Sequence, residues 1–556
     1  MPSTLERVRT AVTTSPELRR LAERGRTILQ GPSDDQLRQE RDESHWQPAT
    51  TSASSQWWQV FLSALSGLIG ATVIAASAPQ WRLAVPTWRL TFPGIAHPGT
   101  STQSTFWFFI GLVALASGWL GLVHCAGRIT DPRRGVIVIG AVIALWAIPV
   151  SLGPPLLSND VYSYVAQGEM ASRGIDPSSV GPVELGRNDF TSGADPVWRS
   201  APAPYGPVAV IAARSAVELA GHDQVAAINF YRMIVWIGVV MAAIGIGMIA
   251  VGNGLSAAVA IAIGIGNPIM IVHVLGGVHN DALMFGFLAL GLAAAQRDRK
   301  KLAVVLITAA TAVKLPAAVG LLYLGWCWRG AVATWKERVF STVAVFTAAV
   351  LMIVVGCVAV GLGPGWITAL KSTGKVNDTY SPTTKIGFSI AEVLNSIGLH
   401  VDGQLLASGV RALGLLATAA IAFVMLMRSP RSGVIKATGV MLVAYILLGP
   451  VIWPWYLVTG FALLAACGLG RYRPSYLVVC VAASFFVWPT SVVSMGSFGN
   501  NYQHLRGLGV VLAVIALAWG AQRFAGRWER RYHGMSESER ESAVSTSQSG
   551  EETRAR

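Results

Sequence analysis

The stretch "LAVVLITAATAVKLPAAVGLLYLGWCW" (302–328) decides how the chain is threaded. It is apolar and long enough to cross a bilayer as one helix, for which about 20 residues suffice. Its middle, however, carries Lys314, the single charged residue of the run, followed closely by Pro316. A proline inside a helix removes a hydrogen bond and clashes with the preceding turn. The stretch is therefore expected to break into two halves, entering and leaving on the same side. Such a hairpin is tolerated at membrane depth only where protein covers it or where it lines a cavity.

The rest of the chain asks for that hairpin. Of 556 residues, 53% are hydrophobic and 13% charged, with a mean hydropathy of +0.50, too apolar for an ordinary soluble protein. Further apolar runs begin near Trp57, Phe106, Val136, Ala226, Ala257, Ala282, Phe340, Leu405, Val434, Trp455, Tyr476 and Leu505. Basic clusters lie at 127–135, 296–301, 328–338, 427–436, 471–474 and 522–533. Placing all of them in the cytoplasm, as the positive-inside rule expects, needs two things. The run 302–328 must be a hairpin, and "PYGPVAVIAARSAVELAG" (204–221), with Arg214 and Glu218, must lie flat at the interface. About twelve full spans plus the hairpin then result, with both termini cytoplasmic. Residues 1–55 read as a polar cytoplasmic segment, 56–530 as the membrane domain and 531–556 as a disordered tail. The net charge of +14 resides largely in the clusters, so no nucleic-acid partner is expected. Five cysteines without a CxxC pair support neither a disulfide framework nor a zinc site. No cleaved signal peptide is indicated.

With that threading the polar exceptions gather on the extracytoplasmic side. The first external loop, about 152–225, opens with "PPLLSNDVYSYVAQGEM" (154–170), where Asp160 sits among Asn159, Tyr162 and Tyr164. A carboxylate leaving hydrocarbon is costly and marks a site, or else it caps a helix at the water interface. If 158–172 is helical, Tyr164 shares its face at i+4; such an acid can also take a proton from a sugar hydroxyl. "GGVHNDALMFGFLAL" (276–290) starts an apolar helix with His279, Asn280 and Asp281. Asn280 or Asp281 fits an N-cap, and His279 can donate to a phosphate or a sugar. Lys314 needs an acidic or anionic partner; an ion pair and a phosphate fit equally. In the second external loop, 363–404, Lys371, Lys375 and Lys385 surround Tyr380, as a bound anion or a solvated loop would each explain. "GPVIWPWY" (449–456), with Trp453 and Trp455, and "GNNYQHLRG" (499–507), with Tyr502, His504 and Arg506, bring rings and cations to the same face. Interfacial belts look like this; so do surfaces that stack sugars and clamp phosphate.

"SNDVYSYVAQGEM…GIDPSSVGP", "HNDALMFGFLALGLA", "AVKLPA" and "GPVIWPWYL", in this order, resemble the actinobacterial polyprenol-phosphate-mannose-dependent α-1,6-mannosyltransferases of the MptA/MptB type. The resemblance runs from about Trp57 to Arg530. It implies an all-α polytopic membrane protein of the GT-C glycosyltransferase class, with interfacial helices and an essential acid in the first long external loop. By position Asp160 would be the catalytic base, deprotonating the 6-hydroxyl of an α-1,6-mannan acceptor. That oxygen would displace polyprenyl phosphate from the donor with inversion. Lys314, Lys375, Lys385, His504 and Arg506 would meet the phosphate charge. Asn159, Tyr162, Tyr164, His279, Asn280, Asp281, Tyr380, Trp453, Trp455 and Tyr502 would contact substrate. No DxD-type carboxylate pair is present, so no metal cofactor is expected. The family often has Tyr where this chain has Ser178.

Three other readings compete. A secondary transporter would show inverted repeats and charges buried at mid-membrane, and no convincing repeat is found. A lipid-linked sugar flippase would share the lipid groove but need no base. An arabinosyltransferase would carry a large C-terminal module, where this sequence has little beyond residue 530.

Overall fold

The computed structural model describes residues 53–77, 101–196, 198–370, 381–487 and 503–534, and among these every regular element is helical. Apolar helices run Ala53–Ser77 (α1), Ser101–Ala126 (α2) and Pro132–Leu152 (α3). The loop that follows holds Asp160–Ser172 (α4) and Pro207–Leu219 (α5). Next come Gln224–Gly252 (α6), Ala257–Gly264 (α7), a π-helical turn Ile269–Gly276, and Asp281–Gln296 (α8). Lys300–Val313 (α9) and Ala318–Trp326 (α10) precede Trp335–Val360 (α11) and Pro382–Ser396 (α12). Gly403–Ser432 (α13), Val434–Leu448 (α14), Pro454–Ala466 (α15), Arg473–Ser484 (α16) and Gln503–Gly534 (α17) complete the order.

Side-chain contacts tie the basic clusters together at one end of this bundle. Arg134 stacks over Trp57 at 4.3 Å, and Arg128 donates to Gln59 at 2.9 Å. Arg473 reaches the Val123 carbonyl at 3.5 Å, while Asn253 donates to Ala466 and accepts from Gln296, both at 2.9 Å. Arg297 bonds the Met248 carbonyl, Arg338 the Trp326 carbonyl, and Ser475 bonds Gln522. The Cys327 thiol meets Ser429 at 3.3 Å. All six clusters therefore share one end.

The hairpin is closed at that same end. Lys300, which opens α9, donates to the carbonyl of Trp328, just beyond α10, at 3.1 Å. The chain thus returns to where it started, with its break at Lys314–Ala317, where Lys314 is extended (φ −152°, ψ 126°) and Pro316 sits in a short 3-10 turn. At about 1.5 Å per residue neither half would cross a hydrocarbon core of about 30 Å.

The number of long spans differs from the twelve expected. Among the described residues seven helices are long and apolar enough to cross a membrane, or eight if α7 and the π-helical turn, bent by 62°, count as one. Each apolar run does start a helix, but α8, α14, α15 and α16 have only 16, 15, 13 and 12 residues. Proline and glycine end the runs early, as at Gly449 and Pro454, which separate α14 from α15. The 204–221 stretch becomes α5, a 13-residue helix also too short to span. It packs on α4, α6, α9 and α11, and Arg214 pairs with Glu218 one turn on at 2.6 Å. The polar stretch 1–52 and tail residues 535–556 lie outside the described residues.

Candidate active site

The site lies at the end opposite the basic clusters and begins where α3 stops. Buried Arg232 of α6 donates to the carbonyls of Ser151 at 2.6 Å and Gly153 at 2.9 Å. It thereby satisfies acceptors that a helix C-terminus leaves open. Leu156 N–H then bonds the Gly276 carbonyl at 2.8 Å, stitching the entry of α4 to the entry of α8. Both strands of this seam are strained: Leu157 has φ +60° and Val278 has φ +57°. Non-glycine residues adopt that region at a cost, and such strain gathers at functional sites.

Asp160 is the first residue of α4, and Asn159 occupies the N-cap position without a side-chain capping bond. The expectation that Asp160 caps this helix is corrected. Its carboxylate instead turns to its own i+4 neighbour: Tyr164 donates to Oδ2 at 3.4 Å, and His279 Nδ1 faces the same oxygen at 3.5 Å. Among the described residues nothing donates a hydrogen bond to Oδ1, and the side chain is 24% exposed. One oxygen is thus held and the other is open.

His279 is fully buried, with neither ring nitrogen hydrogen-bonded among the described residues. It lies flat on Trp455 (3.9 Å, 17°), and Trp455 in turn stacks on Trp453 (5.2 Å, 3°). Asn280 takes the N-cap position of α8 without capping it, and its amide has no partner either. The amide borders a cavity of about 10 Å³ shared with Tyr164, Gln167, Tyr205 and Tyr231, space on the scale of one water. Asp281 is not a cap: both its oxygens accept from Lys314 Nζ at 2.9 Å. Lys314 also lies 4.2 Å over the ring of Tyr456. Gly206, at the entry of α5, completes the apex, since a Cβ there would stand 2.5 Å from the Ala312 carbonyl.

The second external loop reaches the same neighbourhood. Ser381 and Thr383 donate to the Gly449 carbonyl at 2.6 and 3.0 Å, and Thr384 to that of Pro450 at 2.9 Å. The next residue, Lys385, is buried with its side chain against Gly507 of α17. Arg411 donates to Thr384 at 2.9 Å.

Burial shifts the pKa of Asp160 up to about 6; the charge of Lys314 opposes that shift, while Asp281 and Asp195 add to it. Burial, then Lys314, hold His279 well below the ordinary imidazole range, so it is neutral. Asp176, the other loop aspartate, behaves differently. Burial disfavours its ionised form, yet bonds from the Ser178 and Gly363 amides (2.8 and 3.0 Å) and the Ser178 and Ser179 hydroxyls (both 2.9 Å) win. Its pKa is lowered, and it ties the two external loops together. Ser178 has its place in that tie.

Of the residues singled out from the sequence, Asp160, Tyr164, His279, Asn280, Asp281, Lys314, Trp453 and Trp455 come together. Tyr162 does not: two residues after Asp160, it is fully buried against Gly193. Lys375, Tyr380 and Tyr502 lie outside the described residues, as do the side chains of His504 and Arg506. Arg232, Tyr205 and Tyr456 were not anticipated. A lone charge inside the apolar "NFYRMIVW" (229–236) is the signal that could have pointed to Arg232.

A family model described as "Alpha-(1->6)-mannopyranosyltransferase, N-terminal domain" matches residues 64–331, and one described as "MptB C-terminal domain" matches 383–519. A probable alpha-(1->6)-mannopyranosyltransferase of Mycolicibacterium smegmatis is 31% identical over 73% of this chain and 77% of its own. Alpha-(1->6)-mannopyranosyltransferase A of Mycobacterium tuberculosis is 29% identical over 82% and 88%. Alpha-(1->6)-mannopyranosyltransferase B of Corynebacterium glutamicum is 29% identical over 83% and 82%. No solved structure matches the chain.

Proposed function

The chain belongs to the alpha-(1->6)-mannopyranosyltransferase family of MptA and MptB, and from that premise we propose a specific reaction for this membrane glycosyltransferase. It moves mannose from polyprenyl-phosphate-mannose to the 6-hydroxyl of a lipid-anchored α-1,6-mannan, the lipomannan and lipoarabinomannan core. The reaction takes place at the outer face of the plasma membrane. The positive-inside rule supports that side, because the basic clusters occupy the opposite end of the bundle.

Asp160 is the base. The observation that carries this is the division of labour between its oxygens, one engaged by Tyr164 and facing His279, the other open. A pKa of about 6 leaves it largely ionised near neutrality and still basic enough to accept a proton. The acceptor O6 attacks C1 of the β-linked donor as its proton passes to Asp160. The C1–O bond to phosphate breaks, and polyprenyl phosphate leaves with the electron pair. A single displacement turns the β donor into an α product. Lys314 and Lys385, with Lys375, His504 and Arg506 on the neighbouring segments, meet the phosphate charge. The reaction then needs no metal, since the leaving group is a monophosphate.

Asp160→Asn tests the reading. Membranes carrying this variant, supplied with polyprenyl-phosphate-mannose and an α-1,6-mannoside, are expected to transfer at least about 100-fold more slowly. Transfer at the normal rate would remove Asp160 from the base role.

A further inference from the structure

We infer that Asp281 is a positioning residue whose task is to hold Lys314 away from Asp160. The inference rests on Asp160 being the base. Lys314 stands at the apex of a closed hairpin, 16% exposed, with two carboxylates in its vicinity. One is bound through both oxygens at 2.9 Å; the other, Asp160, keeps an oxygen to which nothing among the described residues donates.

The structure contains reasons for this choice. Asp281 lies in the first turn of α8, where unpaired backbone N–H groups favour a negative charge, and it is 5% exposed. A carboxylate buried that deeply must be paired. Tyr456 lies beneath the ammonium and fixes it from a third side. Asp160 is also at a helix start, but it is more exposed and has Tyr164 to engage it.

The arrangement matters because a base locked in an ion pair is a weak base. Were Lys314 to turn to Asp160, it would stabilise the carboxylate, lower its proton affinity and cover the open oxygen. Asp281 prevents both effects and leaves the positive charge of Lys314 near the reacting centre. The groups facing Asp160 are Tyr164 from its own helix, His279 and Asp281 from the α8 entry, and Lys314 from the hairpin. Among the described residues, Asp195 and Tyr205 from the first external loop and Tyr456 from α15 are the others. His279 is neutral, so among these groups the cation is Lys314.

The test is the pH dependence of kcat/KM for mannose transfer in membranes carrying the wild type, Asp281→Asn, the double variant Asp281→Asn/Lys314→Met, and Asp160→Asn. Asp281→Asn is expected to lose about tenfold in rate, with its acid limb displaced downward by about one pH unit. In the double variant neither charge remains. Because Lys314 lowers the Asp160 pKa more than Asp281 raises it, that limb is expected above the wild-type position. A purely structural ion pair would give only the smaller downward shift that loss of the Asp281 charge produces through space, with the plateau rate of Asp281→Asn unchanged, and an unchanged plateau rate overturns the inference. If Asp281→Asn does not fold, the double variant decides, since it buries no unpaired charge; a limb at or below the wild-type position overturns the inference. Asp160→Asn separates the two levels. Wild-type activity in it removes the base reading itself, whereas an inactive Asp160→Asn beside an unchanged plateau rate in Asp281→Asn removes only the role of Asp281.

Discussion

Nδ1 of His279 faces Oδ2 of Asp160 at 3.5 Å, on a ring that Trp455 holds flat from one side at 3.9 Å. The aromatic stack therefore aims an uncharged ring nitrogen at the oxygen that Tyr164 already engages. His279→Phe keeps the stack and removes the nitrogens. It is expected to fold, and to lose about tenfold in kcat through looser orientation of the acid. Single-turnover measurements on the purified variant check this, with a thermal melt as control for folding.

The raised pKa of Asp160 has two signatures of opposite sense. With Asp160 as the proposed base, activity is expected to rise with pH as the carboxyl ionises, so kcat/KM should show an acid limb near 6. Stability runs the other way. A carboxyl moved from 3.8 to about 6 on folding keeps its proton longer in the fold than in the unfolded chain. Its contribution is therefore intact below pH 3.8 and falls by about 3 kcal/mol as pH rises to 6. Asp160→Asn should melt above the wild type at pH 7, with the gap closing near pH 4.

Arg232→Met should destabilise without touching the chemistry directly. It strips charged donors from the Ser151 and Gly153 carbonyls, at a cost of about 2–3 kcal/mol. Melting of the purified protein in detergent measures the loss.

Lys385→Gln is expected to raise KM for the lipid donor about tenfold while leaving KM for the mannoside acceptor unchanged. A buried lysine beside Gly507 meets an anion as a point charge, and a neutral amide cannot replace that. Equal changes in both constants would place Lys385 elsewhere in the reaction.

Chelation is a sharp test of the charge accounting. Treatment with EDTA should leave transfer unchanged if, as proposed, side-chain cations carry the leaving phosphate.

Much of the site could be read before any coordinates, and for one reason. Charges and amides at the edges of apolar runs are expensive, so Asp160, His279, Asp281 and Lys314 stood out even in motifs far apart along the chain. The break at Lys314–Pro316 followed from backbone chemistry alone. What the residues did not disclose was partnership. Nothing in "HNDALM" tells that Asp281 belongs to Lys314 rather than to its own helix cap, nor does "SNDVYSY" reveal that Asp160 spends one oxygen on Tyr164. Tyr456 looked like one more interfacial aromatic, and only the hairpin apex arriving above it gives it a task. The span count departed from expectation because hydropathy reports apolar character, whereas prolines and glycines decide how far each helix runs.

The clasp between Lys300 and Trp328 bears on how this chain is built as well as on how it works. Asp281 is synthesised before Lys314, so for the time it takes to make the first half of the hairpin, the acid has no cation. The hairpin must then carry its ammonium up from the basic end to meet it. Neither charge is comfortable at depth until both have arrived, and a chain interrupted between them cannot bury the acid in its final state. Maturation of the reaction centre is in this way coupled to completed insertion of the segment that follows it.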